Sequence, residues 1–222
     1  MSLSVEKIQN ALRELIDPVT GENFVDGKSA KNIKIDGADV ALEIVLGYPG
    51  KSVTEPIRKQ VIDRLKKLEG IGNISANVYS KIVSHSAQRG VKLVPGIKNI
   101  IAVASGKGGV GKSTTAVNLA LALAAEGASV GMLDADIYGP SQPMMLGITG
   151  RPASKDGKTM EPLEGDGIQA MGVGFLIDPE TPMVWRGPMV TQALEQLLNE
   201  TNWNDLDYLV IDLPPGTGDI QL

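Results

Sequence analysis

A run of consecutive residues near the middle of the chain has the composition of a loop that binds phosphate groups. It reads GKGGVGKST, and its first eight positions fit the pattern G-x-x-x-x-G-K-[ST]. Glycines allow the backbone to fold so tightly that successive N–H groups face one anion. The run therefore predicts a site for the phosphates of a nucleotide, formed by Gly106, Lys107, Gly108, Gly109, Val110, Gly111, Lys112, Ser113 and Thr114.

Two side chains in this run could act directly on a bound nucleotide. Lys112 is expected to contact the β- and γ-phosphates of ATP, and the Ser113 hydroxyl is expected to bind Mg²⁺. An apolar stretch precedes the run and a stretch rich in alanine and leucine follows it, as where a strand leads into a helix. The N-terminus of a helix carries partial positive charge, which favours phosphate there. ATP and Mg²⁺ are therefore the predicted cofactors.

Carboxylates follow two further apolar stretches, at the points where strands should end. The first stretch ends in Asp134-Ala135-Asp136, and the second ends in Asp212. Ligands of parallel sheets bind beyond the carboxyl ends of the strands, so we expect these side chains near the phosphates. Asp212 is the best candidate for holding Mg²⁺, through water, whereas Asp134 or Asp136 could orient the water that attacks the γ-phosphate.

The segment over 213–219 reads LPPGTGD and is rich in proline and glycine. Beside a γ-phosphate, such a segment is expected to act as a switch that nucleotide orders and hydrolysis releases. A single carboxylate at a strand end more often caps a turn or a helix. Three motifs in the order of a phosphate-binding domain favour the catalytic interpretation instead.

The elements that must position these residues alternate between strands and helices. The sequence predicts strands over 99–104, 129–134, 168–173 and 207–213 and helices over 112–126 and 188–200. Alternation of this kind favours an α/β fold with a parallel, doubly wound sheet. The run NIIAVA at 99–104 is almost continuously apolar, which is typical of a strand buried on both faces.

A different pattern occupies the N-terminal part of the chain. It predicts a helix over 4–16 capped by Ser4, strands over 31–36 and 39–46, a helix that opens with the capping-box spacing of Ser52 and Glu55, and a strand over 73–83. This α-β-β-α-β order predicts a small α+β domain over 1–83. Residues 84–98 lose periodicity and are interpreted as a linker, which leaves 99–222 for the phosphate-binding domain.

Composition narrows the class of protein. Hydrophobic residues make up 42% and charged residues 21% of the 222 residues, a balance typical of a soluble globular protein. The net charge of −5, with no basic stripe, argues against a nucleic-acid partner. No apolar run approaches the roughly 20 residues that span a bilayer, and the N-terminus does not resemble a signal peptide. We therefore expect no membrane partner and a cytoplasmic location.

Lys107 refines the assignment of the phosphate loop. With Lys112 it gives the two-lysine sequence KGGVGKST, which resembles the deviant Walker A loop of the class that holds MinD, ParA and the nitrogenase iron protein. Within that class, SGKGGVGKST, LDADIYGPSQPMMLG, WRGPM and DYLVIDLPPGTGD are similar to the Mrp family of iron–sulfur cluster carrier ATPases. ALRELIDPVTGENFV and LGYPGKS resemble the small domain fused ahead of the ATPase in many bacterial members. The resemblance covers nearly the whole chain.

The resemblance implies roles for several residues. Lys107 would reach the nucleotide of the partner subunit across a homodimer, where its charge would stabilise the transferring phosphoryl group. Asp136 would position the attacking water, and Asp134 would lie close to the Mg²⁺ shell. Slow ATP hydrolysis would be coupled to the loading of a [4Fe–4S] cluster or to its delivery to recipient apoproteins.

The chain departs from the family pattern in one respect. Family members carry a C-x-x-C pair well after the Walker B strand, and two subunits share one cluster there. This chain contains no cysteine, and its last residue, Leu222, follows shortly after Asp212. We therefore expect a fragment whose phosphate-binding sheet is incomplete at the C-terminus. Its cluster ligands would lie beyond residue 222, so that only the full-length form would bind a [4Fe–4S] cluster.

Two other functions would use the same phosphate-binding motifs. A positioning ATPase like MinD or ParA would work through a membrane-binding terminal helix or a DNA-binding surface, and the sequence shows neither a membrane helix nor a basic patch. The DIYGPS segment favours the cluster carrier over this alternative. A nucleotide-dependent scaffold that does not hydrolyse ATP remains a third interpretation, because motifs for binding do not prove turnover.

Overall fold

The computed structural model describes residues 3–85, 94–137, 139–176 and 187–216. The chain divides into two compact units, Met1–Ile82 and Val83–Leu222. Several predicted features lie outside the described residues: most of the linker (86–93), Trp185 and Arg186 of the WRGPM motif, and positions 217–219 of the predicted switch segment.

The N-terminal unit forms a three-stranded sheet with two helices. Its elements are α1 (Val5–Arg13), β1 (Ala30–Asp36), β2 (Asp39–Leu46), α2 (Lys51–Leu65) and β3 (Ile74–Ser80). The strands lie in the order β1-β2-β3, with β1 antiparallel and β3 parallel to β2. The predicted α-β-β-α-β order is therefore confirmed.

Regularly spaced apolar residues in both helices and in β2 form the core of this unit. Ser4 caps α1 by accepting a hydrogen bond from the backbone N–H of Lys7 at 3.3 Å, as a serine N-cap should. The helix ends at Arg13, earlier than the predicted residue 16. The core then joins the inward faces of both helices and of β2, and its fully buried members include Ile8, Leu12, Phe24, Ile44, Leu46, Ile57, Val61 and Leu65.

The predicted capping box of α2 is wrong. The helix begins at Lys51 after the N-cap Gly50, so Ser52 lies within the first turn instead of ahead of it. Gly50 has no side chain to cap the helix. The Thr54 hydroxyl instead donates to the Gly50 carbonyl at 2.9 Å. Ser-x-x-Glu spacing alone did not locate the helix start.

The C-terminal unit contains a five-stranded sheet. Its elements are β4 (Ile97–Val103), α3 (Lys112–Ala125), β5 (Val130–Asp134), α4 (Gln142–Leu146), β6 (Leu163–Gly165), β7 (Ile168–Gly172), a 3₁₀ turn (Val173–Phe175), α5 (Gly187–Asn199) and β8 (Leu206–Asp212). The strand order is β4-β8-β5-β7-β6, and only β6 is antiparallel to its neighbour. The predicted parallel α/β sheet is confirmed, whereas the short elements α4 and β6 were not predicted.

Helices cover both faces of this sheet. Met132 of β5 packs in one apolar cluster with Ala116 of α3, while the next residue, Leu133, packs in a second cluster with Leu197 of α5. Successive side chains of a strand point to opposite faces, so the two clusters lie on opposite sides of the sheet. This is the doubly wound arrangement that the sequence predicted. None of the helices among the described residues is long and apolar enough to cross a membrane.

Strand β4 differs from its prediction in two respects. It begins at Ile97, inside the stretch assigned to the linker. It is also not buried on both faces, because Ile100 is 45% exposed. In the sheet that the structure describes, β4 is an edge strand that pairs only with β8. An apolar run can therefore mark a strand without showing its place in the sheet.

Candidate nucleotide-binding site

Three strands end at the same level of the sheet. At the end of β8, Asp212 is the register partner of Val103 in β4 and of Asp134 in β5. The phosphate loop follows β4, the DIYGPSQP segment follows β5, and the proline-rich segment follows β8. All three segments therefore follow the carboxyl ends of the strands, on the side of the sheet where parallel α/β proteins bind ligands.

The phosphate loop requires its glycines at two positions. Gly109 and Gly111 have φ values of 74° and 88°, in the left-handed region that favours glycine. Gly111 is also the N-cap of α3, and no side chain makes a capping hydrogen bond there. The first N–H groups of a helix lack partners within the helix. The loop therefore presents backbone donors at a helix N-terminus, which is the arrangement that binds anions.

A cavity of about 340 Å³ lies between the phosphate loop and the segment after β5. Its lining includes six of the predicted phosphate-binding residues, namely Gly108, Gly109, Gly111, Lys112, Ser113 and Thr114. Gly106, Lys107 and Val110 are exposed and do not line it. The Lys107 carbonyl accepts a hydrogen bond from the Ser105 hydroxyl at 3.0 Å. The loop thus lines the cavity from Gly108 onward, except at Val110.

Lys112 connects the phosphate loop to the acidic strand ends. Its Nζ donates to Asp212 Oδ1 and to Ser113 Oγ, the latter at 3.2 Å. The same Nζ lies 3.6 Å from Asp136 Oδ2. The Lys112 side chain is only 7% exposed, so water screens these interactions weakly. The structure therefore brings together four residues that the sequence proposed for one site.

Asp212 is completely buried, and both of its oxygens have partners. Lys112 contacts Oδ1, and the side-chain amide Nε2 of Gln142 donates to Oδ2 at 2.9 Å. The same Nε2 lies 3.4 Å from the carbonyl of Ser113. Gln142 lies in the LDADIYGPSQPMMLG segment, but the sequence did not predict its contact, because no spacing marks a glutamine whose partner is 70 residues away.

Asp134 has a different environment. Its Oδ1 accepts the backbone N–H of Asp136 at 3.1 Å, and its Oδ2 accepts those of Ser141 and Gln142 at 2.9 and 3.0 Å. Burial raises the pKa of Asp134 to about 6, against the effect of these donors, and the nearby Asp212 charge adds to the rise. Asp134 does not line the cavity. Its contacts hold the segment after β5 in place.

Close packing fixes the position of Asp134. A Cβ atom at Gly172, its register partner in β7, would lie 2.7 Å from the Asp134 Cβ and 3.1 Å from the Asp134 carbonyl oxygen. Real Cβ atoms do not approach so closely, so only glycine fits there. The end of β7 therefore leaves room for the acidic end of β5.

Asp136 lines the cavity, in contrast to Asp134. Its Oδ1 accepts the backbone N–H of Gly139 at 3.2 Å, while its Oδ2 faces Lys112. The neighbouring Ser141 Oγ also belongs to a cavity-lining residue, and it is buried without a hydrogen-bond partner among the described residues. A buried hydroxyl without a partner marks a place where a ligand or water can bind.

The hydroxyl and carboxylate oxygens at this site fit a magnesium ion that is bound together with a nucleotide. Among the residues that the structure describes, one ammonium group, on Lys112, faces the two carboxylates of Asp136 and Asp212, so negative charge is in excess there. Hydroxyl and carboxylate oxygens are ligands that Mg²⁺ prefers. No three His, Cys, Asp or Glu side chains form a metal cluster in the part of the chain that the structure describes.

Each of the two units matches a known protein family. The family described as the NUBPL iron-transfer P-loop NTPase matches residues 96–222. The family described as an iron–sulfur cluster assembly protein matches residues 5–78. The two matches correspond to the sheet that carries the phosphate loop and to the small N-terminal sheet.

Individual relatives are also named as iron–sulfur cluster carrier or transfer proteins. An iron-sulfur cluster carrier protein of Pseudomonas fragi is 59% identical over 71% of this chain and 56% of its own length. The iron-sulfur cluster carrier protein of Synechocystis sp. is 42% identical over 99% of this chain and 64% of its own length. The iron-sulfur cluster transfer protein NUBPL of Mus musculus is 56% identical over 59% of this chain and 42% of its own length.

The chain thus spans about three fifths of the length of the bacterial relatives that it matches. The P-loop match covers more than half of the chain and coincides with the cavity, the phosphate loop and the acidic strand ends described above. The chain therefore belongs to the family of NUBPL iron-transfer P-loop NTPases.

Proposed function

We propose that this chain binds and hydrolyses Mg²⁺-ATP as the nucleotide-dependent part of an iron–sulfur cluster carrier. The observation that carries the proposal is the position of Lys112, between a loop of backbone donors and two carboxylates at the carboxyl edge of the sheet. ATP fits this arrangement, because its phosphates would accept hydrogen bonds from the loop and would compete with the carboxylates for the ammonium group of Lys112.

The nucleotide would change the partners of Lys112. In the structure, Nζ contacts Asp212 and lies farther from Asp136. The β- and γ-phosphates of ATP carry more negative charge than one carboxylate, so Lys112 would turn toward them. The N–H groups of the loop from Gly108 onward would bind the same phosphates. Binding thereby releases Asp212 Oδ1 for another partner.

Ser113 and Asp212 are the residues that would hold Mg²⁺ in the nucleotide complex. Ser113 would contribute its hydroxyl directly, and the carboxylate of Asp212 would act through water. The ion would supply positive charge that offsets the charge on the phosphate oxygens. In the structure, the carboxylate of Asp212 is held in position by hydrogen bonds from Lys112 and Gln142.

Hydrolysis requires a water molecule in line with the leaving group. Asp136 lines the cavity and could orient that water and accept its proton, whereas Asp134 is engaged by three backbone N–H groups and would instead hold the segment that carries Asp136. Lys107 is exposed outside the cavity of its own chain. In this proposal it reaches the nucleotide of a second copy, so that the active form is a homodimer.

The iron–sulfur cluster is proposed as the cargo because the names of the relatives describe cluster carriage and cluster transfer. This chain contains no cysteine and therefore offers no thiolate for a [4Fe–4S] cluster. The 222 residues would supply the nucleotide-binding machinery, while the thiolates that hold the cluster come from outside them. The recipients would be apoproteins that lack their clusters.

The proposal is tested in two stages. ATP binding and phosphate release are first measured with the 222-residue chain and with the full-length protein. The full-length protein is then reconstituted anaerobically with iron and sulfide, and cluster transfer to an apoprotein is followed by absorbance with and without ATP. We expect ATP-dependent transfer. Binding to lipid vesicles or DNA without any cluster would identify a positioning ATPase, and ATP binding without phosphate release would identify a scaffold.

A further inference from the structure

Gln142 is a buried amide in the LDADIYGPSQPMMLG segment, and the sequence alone assigned it no role. Its side chain belongs to the first residue of α4, and the residue is only 1% exposed. Its Nε2 donates to Asp212 Oδ2 at 2.9 Å, whereas its Oε1 is buried without a hydrogen-bond partner among the described residues. An apolar side chain of the same length would fill this space without leaving an unpaired acceptor. The contact with Asp212 is therefore the distinctive feature of a glutamine here.

The backbone of the same residue contacts the other acidic strand end. The Gln142 N–H donates to Asp134 Oδ2 at 3.0 Å, while its side chain reaches Asp212. Asp134 and Asp212 are register partners at the ends of the neighbouring strands β5 and β8. Gln142 thus bridges the two strand ends and couples the segment after β5 to the carboxylate proposed to hold the metal.

The importance of this bridge follows from the exchange of partners at Lys112. Among the described residues, Asp212 has two side-chain partners, Lys112 on Oδ1 and Gln142 on Oδ2. If phosphate draws Lys112 away, Gln142 is the side-chain donor that remains to this buried carboxylate within that part of the chain. A carboxylate held at one oxygen keeps its orientation, and its second oxygen is then directed consistently toward the site that Lys112 has left.

We propose that Gln142 is a positioning residue that orients Asp212 for Mg²⁺ once ATP has engaged Lys112. The inference rests on the proposed function. It assigns Gln142 no contact with the nucleotide and no part in proton transfer. Its effect should therefore be on the Mg²⁺ requirement and on turnover, and not on the affinity for nucleotide in the absence of metal.

The test compares Gln142→Met with the wild-type protein. Methionine has a similar length and is suited to a buried site, but it cannot donate to Asp212. We expect nucleotide affinity in EDTA to be unchanged, measured with a fluorescent ATP analogue. The Mg²⁺ concentration that gives half of the metal-dependent gain in affinity should rise on the order of 10-fold to 100-fold, as for residues that orient metal ligands. The kcat for phosphate release should fall by a similar factor.

Two further variants complete the test. Gln142→Asn keeps an amide donor but is too short to reach Asp212, so it should also raise the Mg²⁺ requirement, and it serves if the methionine variant does not fold. Met144→Ala is the matched control on the same short helix, because Met144 is 89% exposed, and it should behave as wild type.

The possible results separate this inference from the proposed function. If wild-type protein binds no ATP, the proposed function fails and the inference fails with it. If wild-type protein shows Mg²⁺-dependent binding and folded Gln142→Met shows the same Mg²⁺ requirement and kcat, Gln142 only fills space and the inference alone is overturned. A raised Mg²⁺ requirement in Gln142→Met and Gln142→Asn, but not in Met144→Ala, supports it.

Discussion

The two units of the chain bury carboxylates in different ways. In the N-terminal unit, Asp17 is 2% exposed and its Oδ1 has three donors. These are the Tyr48 hydroxyl at 2.6 Å and the backbone N–H groups of Val19 and Thr20 at 2.9 and 3.4 Å. All the donors belong to the same unit, and together they fix a turn. This carboxylate needs no ligand.

In the C-terminal unit, Asp134, Asp136 and Asp212 are buried together at one edge of the sheet. One ammonium group, on Lys112, faces two of these carboxylates. Buried charge is costly unless it is paired, so this edge is stable only with its internal donors and would gain further from added cations. A buried carboxylate with sufficient donors stabilises a fold, whereas a group of carboxylates that is incompletely neutralised forms a potential ligand site.

The largest effect should come from the core of the N-terminal unit. Phe24 is fully buried there, and Phe24→Ala should lower the free energy of unfolding of this unit by about 3–5 kcal/mol, because it leaves a cavity. Hydrogen exchange measured on peptides from β1 to β3 would show the loss. Val19→Ala, at a side chain that is 59% exposed, should change stability by no more than about 0.5 kcal/mol.

The same variant also tests whether the two units have separate roles. ATP affinity should remain at the wild-type value in Phe24→Ala at temperatures where the C-terminal unit is folded. A parallel loss of ATP affinity would break the distinction between a unit that only stabilises itself and a unit that carries the site.

The next largest effect should come from Asp212→Asn. This change keeps the size of the side chain but removes the charge that pairs with Lys112 and that we propose to hold Mg²⁺. We expect Mg²⁺-dependent ATP hydrolysis to fall on the order of 100-fold. Phosphate release at several Mg²⁺ concentrations would measure it, with Asp156→Asn, at an exposed turn in the same unit, as the control. Equal activity of the two variants would contradict the assignment.

Gly172→Ala should have an intermediate effect on stability. The added methyl group would lie 2.7 Å from the Asp134 Cβ, so β5 and β7 would have to separate. We expect a loss of about 1–3 kcal/mol in thermal or chemical unfolding of the C-terminal unit. Gly139→Ala is the control for stability, because no atom lies within 4 Å of a Cβ at that position. If both variants unfold alike, close packing does not fix Asp134.

The smallest effect should come from Tyr48→Phe in the N-terminal unit. Burial raises the pKa of the Tyr48 hydroxyl, and the hydrogen bond to Asp17 raises it further, so the group remains a donor at neutral pH. Removing it should cost about 1 kcal/mol, since Asp17 keeps its backbone donors. Tyr79→Phe removes a longer bond of 3.2 Å to Glu43 and should cost less. A larger loss in Tyr79→Phe would reverse this ranking.

The sequence predicted those features that local patterns encode. Apolar strands that end in carboxylates located β5 and β8, and the glycine spacing located the loop before α3. Because parallel strands align their carboxyl ends, the approach of Asp212 to Lys112 also followed from the sequence. The strands of the small N-terminal sheet were also predicted, because residues 31–36 alternate between apolar and polar side chains.

Features that depend on distant contacts could not be predicted. Helix α4 has five residues and β6 has three, too few for a periodic signal. The exposure of Ile100 depends on the place of β4 at the sheet edge, which its own residues do not encode. The bond from Gln142 to Asp212 exists only because α4 begins beside the end of β8.

The decisive measurement is an ATP titration of Lys112→Ala beside Lys158→Ala. Lys158 is an exposed lysine of the same unit and does not line the cavity, so its loss should leave the dissociation constant for ATP unchanged. Lys112→Ala removes the phosphate-binding charge and leaves Asp136 and Asp212 to repel the nucleotide. Its dissociation constant should rise on the order of 100-fold. Wild-type affinity in folded Lys112→Ala would contradict the assignment of this edge of the sheet as the ATP site.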